Sequence, residues 1–499
     1  MKLEMTKPEM RDDSESVLIT GFAHLVFSQV STRLITFALN LATARLLTVA
    51  SYGLASVQFH LINTAILFLS REGFRRGCLR SQQDAPGGSV HIPRLLATAA
   101  LVMPVGVVTA VATCGLMLRR HGPAAAGDPY PTAVHMQGAA ALLELAAEPL
   151  YILGAAQLRF RLRVGAEAAA TLARGVLTLA LLARATCAPA LALSWGQLAY
   201  AGVTLLAYLT AYAPALAAGG TLLDWRTLRL CASFSVQAAE KLVLAEGSKL
   251  VLVATQSAAD QGAYGLASNL GSLVVRTVFQ PFEEAAFLAF SRPGGDGGGA
   301  KAGGAAAAAA AANARLARVL AVAVRTVTIV GLFSVAFGPA YCQLLLRLAY
   351  GERWAATGAP AALAAYCPYI LLLAVNGILE AFVHAVATPH ELGAANVALV
   401  AAAGAHMAAV AAAARGGGGA ASVVAADALG MAARIAYSAC ALAARLRGAA
   451  DAALPGGEWA HAGVHVGVGM AVLAAAAPAV LHAERELLAE LRVLRSEAG

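Results

Sequence analysis

The chain has 499 residues, 59% of them apolar and only 13% charged, with a mean hydropathy of +0.68. That balance lies far outside the range of a soluble domain of this length, so the sequence specifies a membrane protein. The net charge of +8 would serve nucleic acid only on a soluble basic face; here it reflects topology and anionic lipid headgroups, and no nucleic-acid partner is expected.

Residues 1–16 are polar and acidic, and Val17 opens a span too long for the core of a signal peptide, so no cleavable signal is expected. Windows of about 20 residues give about thirteen predicted spans. They centre near Ile35, Ile62, Val105, Leu145, Leu177, Val203, Ala245, Val274, Val330, Leu372, Ala402, Ala426 and Val472. The last three rest on alanine and carry the weakest signal. With a cytoplasmic N-terminus, about sixteen Lys and Arg fall in cytoplasmic loops and about seven on the other side, the bias expected of that orientation.

The first two spans carry Arg33, Arg45, Arg71, Glu72, Arg75 and Arg76 within or at the edges of apolar sequence. A charge there costs several kcal/mol unless it is paired, reaches the interface or faces a wet cavity. Arg33 lies near the middle of its span, and Arg45 sits about 18 Å further along the same helix. Arg71 and Arg75 share a helix face, with Glu72 and Arg76 on the adjacent one. A mostly cationic, Arg-rich set suits a diphosphate or carboxylate ligand. Structural pairing between helices and anchoring at the cytoplasmic interface are the alternatives.

Further on, Glu240, Lys241, Glu246 and Lys249 crowd the seventh span, with Glu246 and Lys249 three residues apart and able to pair. Gln280-Pro281-Phe282-Glu283-Glu284 adds a proline kink whose freed backbone groups need polar company. The segment 292–313 is low-complexity, expected as a flexible cytoplasmic insertion that polyalanine could make locally helical. Asn376 and Glu380 lie one turn apart, either lining a cavity or joining helices. Residues 483–495 read as a short amphipathic helix lying on the membrane surface. The seven cysteines are scattered and read as buried thiols, and the eleven histidines have no ligand spacing. No P-loop is present, so neither metal, cofactor nor enzymatic chemistry is expected.

Tyr52-Gly53-Leu54-Ala55-Ser56 recurs 212 residues later as Tyr264-Gly265-Leu266-Ala267-Ser268, and Arg71-Glu72 then aligns with Glu283-Glu284. An internal duplication follows, with parallel halves related by an axis along the membrane normal. The expected organisation is a tail 1–16, a six-helix lobe 17–216, a second six-helix lobe 217–447, and one extra helix plus the amphipathic tail in 448–499.

These segments resemble the Rft family of endoplasmic-reticulum proteins. The resemblance rests on RLITFALN with Arg45, FLSREGFRRGC, EGSKL, DQGAYGLASNLGSLVVRTVFQPFEEAAF and YCPYILLLAVNGILEAF. It implies an all-α polytopic membrane protein of two six-helix lobes, within the superfamily of multidrug and lipid-linked oligosaccharide exporters. It also implies translocation, or essential support of translocation, of an oligomannose-bearing dolichol diphosphate for N-glycosylation. The implied partners are that lipid, the surrounding membrane lipids and enzymes of the dolichol pathway. Arg33, Arg45, Arg71, Glu72, Arg75 and Arg76 match the family's charged positions and would hold the diphosphate. Glu246, Lys249, Gln280, Glu283, Glu284, Asn376 and Glu380 would line or gate the second lobe, its acids pairing with arginines in one state and releasing them in another. Two rival functions stay open: a cation-coupled exporter of small organic molecules using Glu283, Glu284 and Glu380, and a non-transporting scaffold of the dolichol pathway.

Overall fold

The computed structural model describes residues 36–83, 92–123, 125–157, 159–216, 224–291, 305–386 and 403–453. Arg33 and the segments expected around Val472 and 483–495 lie outside them. The described residues form helices almost throughout. In chain order these are α1 (36–46), α2 (Val49–Gly53, Leu54–Phe59 and His60–Gln83, continuous), α3 (Ile92–His121), α4 (Tyr130–Ala156), α5 (Phe160–Ala183) and α6 (Pro189–Leu216). There follow α7 (Trp225–Thr255), α8 (Ala258–Val274, Val275–Phe279 and Gln280–Ser291, continuous), α9 (Ala305–Tyr350), α10 (Ala359–Val386), α11 (403–415) and α12 (Gly419–Ala453). Eight of these are long and apolar enough to cross a membrane. Large apolar side chains turn outward, Val108 and Val111 on α3, Leu206 on α6 and Phe333 on α9 among them, as a lipid-facing surface requires.

Two helices contain a π-turn, Leu54–Phe59 in α2 and Val275–Phe279 in α8. In α8 the cause is in the sequence: Pro281 has no N–H for the carbonyl four residues back, and the wider turn before it absorbs the mismatch. Pro149 does the same to α4, which breaks at Ala147 between Glu144 and Glu148. α9 begins inside the low-complexity segment, at Ala305, because polyalanine has the strongest intrinsic helix propensity.

The chain divides into two compact units. Unit 1 holds the residues up to Leu47 and Ile62–Gln237; unit 2 holds Thr48–Leu61 and everything from Ala238. Both α2 and α7 therefore contribute one half to each unit.

In unit 1, polar side chains join helices that share no hydrophobic driving force in lipid. Asn63 on α2 donates to Gln137 on α4 (2.6 Å), Gln137 donates to Ser194 on α6 (3.1 Å), and Ser70 bonds Thr109 on α3 (2.8 Å). In unit 2 both copies of the repeated pentapeptide meet. A methyl group on Gly53 would fall 2.2 Å from the carbonyl oxygen of Ala258, and one on Gly262 would fall 2.1 Å from that of Val49. The backbones of α2 and α8 thus touch, and the contact is fastened by Gln58 to Gln261 and by Asn269 to the Tyr52 hydroxyl, each 2.8 Å.

Gly53→Ala is therefore expected to lower the melting temperature of the purified protein, by an overpacking cost of ~1–3 kcal/mol. Gly202→Ala, with open space around it, is the control. Equal melting of the two variants would refute the close approach.

Candidate functional site: an arginine–glutamate ladder

α2 brings Arg71 and Arg75 onto one face, and α4 answers them with Glu144 and Glu148 at the same four-residue spacing. The Arg71 Nη1 donates to Glu144 Oε1 at 2.6 Å. The Arg75 guanidinium grips Glu148 with both its Nε and its Nη2, the latter at 2.8 Å from Oε2. Glu148 is 2% exposed and Glu144 8%, whereas the arginine side chains keep 25% and 21% of their surface. The carboxylates are the deep partners and the guanidinia the accessible ones. Close approach of α2 and α7 helps to fix the frame: Gly73 and Gly77 lie against Ser235 and Cys231.

Aromatic rings complete the site. The Arg75 guanidinium lies 3.8 Å above the Tyr151 ring, and Arg163 of α5 approaches the same ring at 5.5 Å. Arg174 lies 5.5 Å from the Tyr200 ring. Such cation–π contacts stabilise by roughly 0.5–2 kcal/mol each, more as water is excluded. A cavity of about 70 Å³ opens among Arg71, Arg75, Glu148, Tyr151, Glu167 and Tyr200, room for a few waters only.

The remaining expected residues distribute as follows. Glu72 pairs with Arg76 on its own helix (2.7 Å). Arg45 is exposed at the end of α1. In unit 2, Glu246 pairs with Lys249 (2.9 Å), as its spacing foretold, and also with His60 (3.2 Å). Gln280 donates to Glu284 (3.3 Å), and Glu380 is bonded by Arg434 of α12. Glu283, Glu284 and Glu380 line a cavity of about 620 Å³ together with His384. Asn376 is 5% exposed with no hydrogen-bond partner for its Oδ1, so it does not join Glu380 in that wall.

Sequence reasoning missed Glu144 and Glu148, although two acids four residues apart in an apolar span were the matching signal. It also missed Asp427, 4% exposed on α12, which accepts from Ser248 (2.6 Å) and Tyr264 (2.9 Å) and meets His406 Nε2 at 3.0 Å. The scattered cysteines conceal close thiols as well: Cys342 and Cys367 lie 4.0 Å apart.

The family model described as Rft protein matches residues 17–475. The chain belongs to the Rft protein family. Its relatives include the proteins named Man(5)GlcNAc(2)-PP-dolichol translocation protein RFT1 in three organisms. The Xenopus tropicalis protein is 30% identical over 73% of this chain and 70% of its own length. The Mus musculus protein is 29% identical over 75% and 72%, and the Dictyostelium discoideum protein 28% over 79% and 80%. Among solved structures, the lipid II flippase MurJ in an inward closed conformation aligns with 84% of this chain and 87% of its own, at TM-score 0.58 and 9% identity. An inward-facing multidrug-resistance MATE transporter of the MOP superfamily aligns with 82% and 95%, at TM-score 0.56 and 14% identity. At those identities the likeness is one of fold: this Rft chain shares the architecture of all-helical, multi-pass membrane proteins.

Removing one member of the Arg75–Glu148 pair strands a charge with little water. Arg75→Ala and Glu148→Ala should each cost ~3–5 kcal/mol in equilibrium unfolding, and the double variant less than the sum by ~0.5–3 kcal/mol. Additive losses would show that the two side chains do not act together.

Proposed function

We propose that this chain moves an oligomannose-bearing dolichol diphosphate from the cytosolic to the luminal leaflet of the endoplasmic reticulum, or is essential for that movement, and that its N-terminus is cytoplasmic. The names of its relatives supply the ligand class. The observation that carries the reading is the ladder of unit 1, where Arg71 and Arg75 stand half-shielded between glutamates and tyrosines. Arginine's planar fork addresses two phosphate oxygens at once, and a partly desolvated wall strengthens each such bond. Movement uses no nucleotide; the glycan stays in water-filled space while the polyprenyl tail remains in lipid. Arg33, Arg45 and Arg76 add to the attraction of the diphosphate.

A second reading, a cation-coupled exporter, is favoured by the acidic cavity of unit 2 around Glu283 and Glu284. The two part on sodium, which the exporter requires and the lipid translocator does not.

The test is reconstitution of the purified chain in vesicles carrying a lipid-linked oligosaccharide in one leaflet. Its appearance in the opposite leaflet should be faster than in protein-free vesicles and insensitive to sodium. Arg71→Gln and Arg75→Gln should slow it by about tenfold or more, the loss of one charge-assisted hydrogen bond of ~1.5–3 kcal/mol. A wild-type rate no faster than that of empty vesicles would sink the proposal.

A further inference from the structure

The diphosphate reading leaves Glu144 and Glu148 without a task, yet they hold the guanidinia that a diphosphate must engage. Both Arg75 nitrogens that would serve a diphosphate already donate to Glu148, and Arg71 donates to Glu144, so the ligand engages them only as the carboxylates give way. Around this site stand Arg71, Arg75, Arg76, Arg163 and Arg174 against Glu72, Glu144, Glu148 and Glu167, a formal surplus of one positive charge. A diphosphate diester brings two negative charges. With every carboxylate ionised, the loaded site would carry one net negative charge in a weakly solvated place, a state that costs several kcal/mol. One proton on a glutamate makes the loaded site neutral.

We propose that diphosphate capture by this chain is coupled to the uptake of one proton by the Glu144–Glu148 pair. The inference rests on the anion reading of the ladder under Proposed function. In the step, the N–H bonds of Arg75 pass from the Glu148 carboxylate to phosphate oxygens. The freed carboxylate oxygen takes a proton from hydronium in the aqueous phase, and no covalent bond of the ligand changes. Arg71 and Arg75 keep about a fifth to a quarter of their side-chain surface, and the proton would arrive from that side. Deprived of its guanidinium in a desolvated pocket, a carboxylate is favoured as the neutral acid.

The groups facing the pair from each packed helix support that assignment. α2 presents Arg71, Arg75, Glu72 and the Cys78 thiol. α5 presents Arg163, already tied to Glu167 at 3.1 Å, and Arg174. α6 adds the phenols of Tyr200 and Tyr208, and α4 itself adds Tyr151. The one charge of the adjoining stretch of α3, Arg94, acts on Asp224 instead. Arg163 is half exposed and held by Glu167, so it offers the freed Glu148 no buried replacement.

The test uses the full purified chain and citronellyl diphosphoryl N-acetylglucosamine, a short-chain diphosphate diester that carries two charges and does not titrate near neutrality. Calorimetry in two buffers of different ionisation heat should report about one proton taken up per ligand bound. Affinity should fall about tenfold per pH unit on the alkaline side, the slope of one linked proton. Glu148→Gln should remove the uptake and flatten the pH dependence; Glu144→Gln serves the same purpose if the first variant does not fold. Binding of the wild type without proton uptake, at an affinity independent of pH, would overturn the coupling while leaving the anion site standing. Uptake that persists in both variants overturns it too, by placing the proton elsewhere. Failure of the wild-type chain to bind the diester at all would instead remove the reading on which the coupling rests.

Discussion

A guanidinium carried into a membrane helix must find a carboxylate or water, and the architecture of unit 1 follows from that demand. Arg71 and Arg75 fix the distance and rotation of α2 against α4, because only one register lets both meet Glu144 and Glu148. Pro149 matters for the same reason. The break it causes at Ala147 lies between the two glutamates, so each is carried by a different stretch of helix and can meet its own arginine. Tyr151 then fills the far side of the Arg75 plane, where a second carboxylate would have over-neutralised the pair.

Unit 2 solves the same problem with opposite chemistry. Among its described residues the most deeply placed charge is an acid, Asp427, and its partners come from separate helices: Ser248 on α7, Tyr264 on α8 and His406 on α11. Hydroxyl donors satisfy a carboxylate without adding a counter-charge. The hub ties those three helices to α12 as the ladder ties α2 to α4. Guanidinia enter at Glu380, where Arg434 reaches from α12 to α10, and at Glu352, which Arg347 meets at the end of α9.

The helical class and most of the spans were legible because an uninterrupted apolar window of membrane length is the pattern a bilayer-crossing helix demands. The pairing of Glu246 with Lys249 was legible from spacing alone. Partnerships across helices were not: Arg75 with Glu148 lie 73 residues apart and Tyr264 with Asp427 lie 163 apart, and periodicity says nothing about which faces meet. The repeated pentapeptide signals duplication in the sequence, while its packing use, Gly265 of the second copy lying against Ser56 of the first, depends on which helix faces meet. Reading the arginines as a cationic excess overlooked the matching acids, since the sequence shows charge along one helix and the balance forms between two.

If the ladder is where the proposed ligand binds, that balance bears on selectivity. An unpaired arginine in a poorly solvated site would hold any anion tightly, and a carrier that cannot release its ligand does not turn over. A pre-formed carboxylate partner raises the threshold: the incoming ligand must replace two parallel hydrogen bonds on Arg75, not simply supply negative charge. Chloride offers one centre and no fork, and a lone carboxylate only reproduces what Glu148 already provides. A diphosphate offers oxygens on two phosphorus atoms and can answer Arg71 and Arg75 together, one turn apart on the same face of α2. On the proposed function, the pairing that makes these arginines tolerable in lipid would also select the kind of anion that can displace it.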